Sequence, residues 1–179
     1  MSHISRNPSR SGLHGALEER FQRLLGTGLN PMRAMARQPQ VLETIVGLER
    51  RVTGWNALDL ALKDLAVMAA AVRIGCGWCI DYSRWESVAH GIPATKVEAV
   101  PVWRNSDLFT ALERLILVYA EAMTDTPPTV TDDMVQGLLC HLGEPQFIEL
   151  TAVIAIENQR SRINHALRPT AQDLSPHKT

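Results

Sequence analysis

Residues 64–83 read DLAVMAAAVRIGCGWCIDYS. The first part of this stretch is rich in Ala, Val, Leu and Met, and it closes a helical run from Ala57 to Arg73 that stops at Gly75. Gly is the usual residue just past a helix end, where the backbone turns left-handed. Cys76-Gly-Trp78-Cys79 then opens a second helix, which runs from about Gly77 to His90 and is ended by Gly91. A Cys-x-x-Cys at a helix start holds both sulfurs near free backbone N–H groups and the positive end of the helix dipole. That environment lowers a thiol pKa and favours the thiolate. Thiolates, not thiols, attack disulfides and peroxides. The stretch therefore predicts two helices that meet at a redox-active dithiol.

Other uses of such a pair exist. Half of a zinc site would need a second Cys/His pair. Cys140 and His141 are adjacent and point two ways, and His90 stands alone, so the ligand count falls short and no metal or organic cofactor is expected. A structural disulfide belongs to exported proteins, and the first residues, MSHISRNPSRSG, carry no apolar signal segment. Two small buried cysteines without chemistry are a further alternative. Three cysteines in all and no signal segment predict a reducing cytoplasm.

A chain of 179 residues, 45% of them hydrophobic, is enough for one domain with a sizeable core. The net charge of -1 and scattered arginines (Arg50, Arg51, Arg160, Arg162) argue against nucleic acid as a partner. Apolar runs such as 65–72 are too short to span a bilayer, so no membrane partner is expected. Residues 1–12 read as a flexible N-terminal segment, 13–168 as a single domain and 169–179 as a tail.

Inside that domain nearly every segment reads as helix. Leu13–Leu25 comes first. Asn30 and Pro31 serve as N-cap and first-turn pair for Met32–Arg37, and Val41–Arg51 follows. Ala94–Ala99 is short. Asp107–Met123 repeats Leu108, Leu112, Leu115, Ile116, Tyr119 and Met123 at helical spacing. Thr131 caps Met134–Leu142, and Pro145 sits in the first turn of a helix reaching Leu167. Sustained period-two alternation is missing, so the fold class is all-α.

With residues 64–83 in view, the chain resembles the carboxymuconolactone decarboxylase and alkylhydroperoxidase D superfamily, whose pattern is Glu, eleven residues, Cys-x-x-Cys, three residues, His. Asp64 stands at the glutamate position and Ser83 at the histidine position. Leu112-Glu-Arg with Tyr119-Ala-Glu-Ala-Met, Leu150-Thr-Ala, and Asn158 with Arg162-Ile-Asn164 extend the likeness over roughly residues 40–167. The resemblance implies an all-α bundle in a homo-oligomer and a thiol peroxidase (peroxiredoxin) activity on hydroperoxides. By it, Cys79 is the peroxidatic cysteine, Cys76 resolves it as a Cys76–Cys79 disulfide, and an external dithiol from a thioredoxin-like or lipoyl protein restores the pair. Asp64 and Ser83 are the relay positions. Ser83 lacks a titratable base, though its hydroxyl can pass a proton or hold a water.

Each position has a plainer use. Asp64 pairs with Lys63 or another base near the surface. Ser83 bonds its own i−4 carbonyl. His90 lies about 16 Å along the helix from Cys79 at ~1.5 Å per residue, too far to be its base, and reads as a last-turn His favoured by the dipole. Trp78 and Trp85 line an apolar pocket or pack in the core. Cys140 reads as an inert core residue. Asn158 and Arg162 cap helix ends or join an interface network rather than touch substrate. Two rivals to the peroxidase remain: a lactone-acid decarboxylase, which would need cations for carboxylates and no dithiol, and a non-enzymatic redox-sensing binding module, which the loss of the histidine favours.

Overall fold

A computed structural model describes residues 12–25 and 29–168, with the side chains of 24 and 25 excepted. Of the segments expected to be a flexible start (1–12) and a tail (169–179), all but Gly12, the first residue of the first helix, lie outside the described residues. All regular structure among the described residues is helical, as expected. The order is α1 (Gly12–Leu25), α2 (Asn30–Met35), α3 (Pro39–Val52), α4 (Leu60–Ile74), α5 (Gly77–Ala89), α6 (Ala94–Ala99), a 3₁₀ helix (Val100–Asn105), α7 (Ala111–Thr124), α8 (Asp132–Leu139) and α9 (Glu144–Leu167).

Helix α4 is the axis, packing against α5, α7 and α9. Its sequence explains this. Ala66, Ala69, Ala70 and Ala71 are all buried, and side chains of one methyl let neighbouring helices come close from several sides. Leu65 and Met68 fill the spaces between them, against Ile116 and Leu117 of α7 and Leu150 and Ile154 of α9. Polar contacts clamp the outer end: Lys63 Nζ reaches Glu149 Oε1 at 2.8 Å and the Trp55 carbonyl at 2.7 Å, while Ala57 N–H donates to Glu149 Oε2 at 2.7 Å. The helices α1–α3 form a smaller cluster around Leu17, Leu42 and Val46, tied by an Arg33–Glu18 ion pair.

Several helix ends differ from the sequence expectation, and at two of them a capping side chain decides the start. Helix α4 starts at Leu60, not Ala57, because the Asp59 carboxylate accepts from the N–H groups of Ala61 and Leu62. Helix α7 starts at Ala111, not Asp107, because Thr110 and Glu113 form a reciprocal capping box. Leu29, not Asn30, is the N-cap of α2. Helix α8 stops at Leu139, which places Cys140 at its C-cap. Cys140 is consequently a free, exposed thiol rather than a core residue. Thr131 caps α8 as expected, accepting from Met134 N–H at 3.3 Å. Asn158 and Arg162 are also helix-end partners. Asn158 Nδ2 donates to Thr124 Oγ1 at 2.9 Å, and Arg162 Nη2 donates to the Thr124 carbonyl at 3.3 Å, closing the end of α7.

Met68, fully buried on α4, and Ile148, 66% exposed on α9, provide a test of this core. Met68→Ala is expected to lower stability by about 2–5 kcal/mol, and Ile148→Ala to change it by no more than about 0.5 kcal/mol, both read by urea unfolding. Equal effects at the two sites would show that α4 is not the packing axis.

Candidate functional site

Cys76 and Cys79 form a disulfide, with Cα atoms 5.3 Å apart, within the span a disulfide bridges. The local backbone sets this up. Gly75 takes a left-handed conformation (φ +79°), and the N–H groups of Gly75 and Cys76 both reach the Ala71 carbonyl, at 3.0 and 3.2 Å. The chain reverses in one residue, and Cys76 becomes the N-cap of α5. Its Sγ accepts from Cys79 N–H at 3.3 Å, the position a Ser or Asp oxygen takes at other helix starts. Both sulfur-bearing residues are buried.

The third partner comes from the far end of the chain. Asn164 Nδ2, on α9, donates to Cys79 Sγ at 3.3 Å. A cleft of about 220 Å³ opens beside the pair, lined by Gly75, Cys76, Gly77, Trp78, Asn164, His165 and Arg168. Cys76 is on its wall, while Cys79 Sγ lies against Asn164. Trp78 stacks on Tyr82, with centroids 5.2 Å apart and planes at 18°, and Tyr82 leans on Trp85 at 5.6 Å. Trp78 thus lines the cleft, and Trp85 packs behind it with Leu29 and Met32.

Asp64 is buried on α4, and its Oδ2 is 2.7 Å from His90 Nδ1. His90 is the C-cap of α5, the last-turn position expected of it, but it also supplies the base that pairs with Asp64. Lys63, the other expected partner, is committed to Glu149. Burial raises the Asp64 carboxyl pKa above its ordinary value, and the His90 hydrogen bond offsets this in part. Ser83 is buried one turn beyond Cys79.

Of the α9 residues that face this region, Asn164 belongs to the sequence likeness, whereas Glu157 and Ser161 were not singled out from sequence. Glu157, Ser161 and Asn164 recur at i, i+4 and i+7, one face of a helix, and are 3%, 0% and 6% exposed. Ser161 Oγ donates to Glu157 Oε1 at 2.6 Å. The signal was a polar stripe at helical spacing inside a helix that buries that same stripe. Arg160 sits beside it, joined to Glu49 Oε1 at 2.7 Å and to Glu157 Oε2 at 3.4 Å. Burial pushes Glu157 up to about 7, against the opposing pull of Arg160 and Ser161. Glu86 is raised by burial and by Asp64, and the Tyr82 phenol by burial and by Glu86. No three His, Cys, Asp or Glu side chains among the described residues come together as a metal site.

The profile of the carboxymuconolactone decarboxylase family matches residues 39–122, which include α4, α5 and the cysteine pair. The chain is similar to the uncharacterized protein YnjA of Escherichia coli (strain K12), 35% identical over 86% of this chain and 85% of the relative. Among solved structures it is similar to an uncharacterized peroxidase-related protein from Silicibacter sp. TM1040, at 14% identity and TM-score 0.84, over 99% of this chain and 93% of that one. It is also similar to the debrominase Bmp8 in its apo form, at 22% identity and TM-score 0.78, over 88% and 85%.

A raised carboxyl pKa has a definite sign in stability. Folded Glu157 keeps its proton up to about 7, against an ordinary value of 4.5. The stability this confers is full below 4.5 and is lost as pH rises through 7, a change of up to about 3 kcal/mol for a group this buried. Glu157→Gln removes the dependence. The Tm of the variant relative to the parent is expected to climb between pH 5 and pH 8 in calorimetry. A constant offset over that range would show that Glu157 ionises as an ordinary carboxylate.

Proposed function

The chain belongs to the carboxymuconolactone decarboxylase family, and from that premise we propose that it is a thiol-dependent peroxidase reducing hydroperoxides through Cys76 and Cys79. The observation that carries the reading is the disulfide at the start of α5, beside an open cleft and under the Asn164 amide. A buried dithiol with no substrate access would have no such cleft.

The chemistry follows from the two environments. In the reduced protein the Cys79 thiolate attacks the outer peroxide oxygen. The S–O bond forms, the O–O bond breaks, and the alkoxide leaves as the alcohol after taking up a proton. Asn164 N–H stabilises the anionic sulfur before attack. The Cys76 thiol then displaces water from the sulfenic acid and closes the disulfide. To reset the pair, a thiolate of an external dithiol, of a thioredoxin-like or lipoyl protein, enters the cleft and attacks Cys76 Sγ, the sulfur on its wall. Cys79 is expelled as thiolate back to Asn164. The second thiol of the reductant then resolves the mixed disulfide.

Asp64 takes no proton-transfer step in this scheme. Its carboxylate is held by His90, eleven residues beyond Cys79, and we assign it to fixing the α4–α5 pair. Ser83 remains on the Cys79 face of α5.

One observation favours a second reading. His165 and Arg168 put two basic side chains on the cleft wall, which suits an anionic substrate, as a lactone-acid decarboxylase would require. That reaction leaves the dithiol without a task, so the peroxidase reading ranks above it. A basic wall serves an anionic group on a peroxide or on a reductant equally.

Reduced protein given one equivalent of cumene hydroperoxide is expected to lose two hydrogens from the tryptic peptide of residues 74–84, which holds both cysteines. Cys76→Ser should stop at a sulfenic acid on Cys79, trapped by dimedone, and Cys79→Ser should abolish turnover. Oxidation confined to Cys140 would overturn the assignment. A bromopyrrole in place of the peroxide tests the activity that gives the debrominase Bmp8 its name; turnover of it alone would replace peroxide as the substrate.

A further inference from the structure

The charge on the wall of the cleft has one sign. His165 and Arg168 line it, and no acidic residue does. Among the described residues no carboxylate forms an ion pair with either of them. Arg168 is the C-cap of α9 and the one described non-glycine residue with a positive φ, at φ 46° and ψ 58°. Glycine takes that left-handed conformation freely and is the usual residue at such a helix end. An arginine there is strained, and strain of this kind gathers at sites of function. Cys76 lines the same cleft and is only 4% exposed, so a sulfur that reaches it has to come into the cleft. The space is of small-molecule size: about 220 Å³, below the ~300–1,000 Å³ of sites for drug-sized ligands. A Cβ built on Gly77 would meet no atom within 4 Å, so that side of the cleft is open.

We propose that this cleft selects small thiols that carry a carboxylate as reductants of the Cys76–Cys79 disulfide, with Arg168 and His165 as the residues that set the choice. The proposal rests on the reading above in one respect, that the oxidised pair is reset by attack at Cys76, and it adds a small reductant to the protein dithiol considered there. The incoming thiolate bonds to Cys76 Sγ and the Cys76–Cys79 bond breaks. Cys79 leaves as thiolate, beside the Asn164 amide that meets its sulfur at 3.3 Å. A second thiolate then attacks the sulfur of the first, and Cys76 leaves as thiolate in turn. Two small thiols become one small disulfide, the pair gains the two electrons, and both cysteines take protons from water.

The choice follows from charge and shape. A guanidinium is planar and offers paired N–H donors that match the two oxygens of a carboxylate. A neutral thiol gains nothing from Arg168 and His165, and a cationic one is repelled. Each cation on the wall is worth about two- to fivefold, as in an exposed ion pair, and added salt weakens the effect.

The test mixes the oxidised full-length protein with mercaptopropionate, mercaptoethanol or cysteamine, which carry a negative, no and a positive charge. Acid-quenched samples are read on the tryptic peptide of residues 74–84. Each rate is divided by that thiol's rate with hydroxyethyl disulfide, a neutral reference that removes differences in thiolate fraction and nucleophilicity. The parent is expected to rank mercaptopropionate first and cysteamine last, with the mixed disulfide on Cys76. Arg168→Gly relieves the left-handed strain, so the fold is kept, and it should shrink the ratio of mercaptopropionate to cysteamine by about two- to fivefold. Gly77→Leu puts a side chain into the open space and should slow all three thiols together. Equal normalised rates in the parent, an unchanged ratio in Arg168→Gly, full rates in Gly77→Leu or a mixed disulfide on Cys79 would each overturn the proposal. Reduction by thioredoxin with none by the three thiols would overturn it as well. No step of this test uses peroxide. A charge ranking that Arg168→Gly weakens, in a protein that leaves cumene hydroperoxide intact, would keep the proposal and remove the peroxidase reading.

Discussion

The close approach of helices to α4 is the constraint on which the rest of this structure depends. Ala66, Ala69, Ala70 and Ala71 bury on several sides of one helix, so α5, α7 and α9 all reach its backbone. Close packing is then what brings α9 within hydrogen-bond distance of Cys79, although Asn164 is 85 residues away in sequence. A larger residue at any of these alanines would have to be accommodated in an interior with little free volume. The site inherits its geometry from methyl groups that take no part in its chemistry.

The same packing raises the cost of charge. Asp64, Glu113, Glu149 and Glu157 are all at least nine-tenths buried, and a buried carboxylate needs a partner. Three of them have strong ones: His90 for Asp64, Lys96 for Glu113 and Lys63 for Glu149. The directions of shift agree at Glu113 and Glu149, whereas burial raises Asp64 despite His90. Lys96 and Lys63 hold Glu113 and Glu149 below the ordinary value despite burial. Glu157 must share Arg160 with Glu49, which takes the shorter contacts, and burial wins. The two lysines therefore hold Glu113 and Glu149 as anions, while burial leaves Glu157 to titrate at about 7.

Sequence made much of this legible, and its limits have physical reasons. The helical class and the helix order follow from periodicity, and the dithiol at a helix start follows from Gly75 and the Cys spacing, because both are local signals. Helix starts at Leu60 and Ala111 were misplaced where a side chain a few residues on, Asp59 or the Thr110–Glu113 pair, ends the contest between turn and helix. The 3₁₀ turn at Val100–Asn105 left no periodic trace. Cys140 looked internal because its neighbours Leu138 and Leu142 are, but the helix stops before it. The Asp64–His90 pair escaped notice because His90 was measured against Cys79 on its own helix; its partner lies across the hairpin. Asn164, Ser161 and Glu157 become site residues only through tertiary register, which no spacing within α9 alone specifies.

That register also fixes the charge balance of the site. A thiolate born beside an already ionised Glu157 would put two anions in one buried region, with Arg160 already shared. A protonated Glu157 avoids this, and burial favours that form up to about 7. The oxidised pair has no sulfur to titrate, so with the disulfide closed Glu157 faces only Arg160, Ser161 and the carboxylates around them. The helix that supplies the Asn164 amide to Cys79 carries this buried carboxylate as well, two turns earlier.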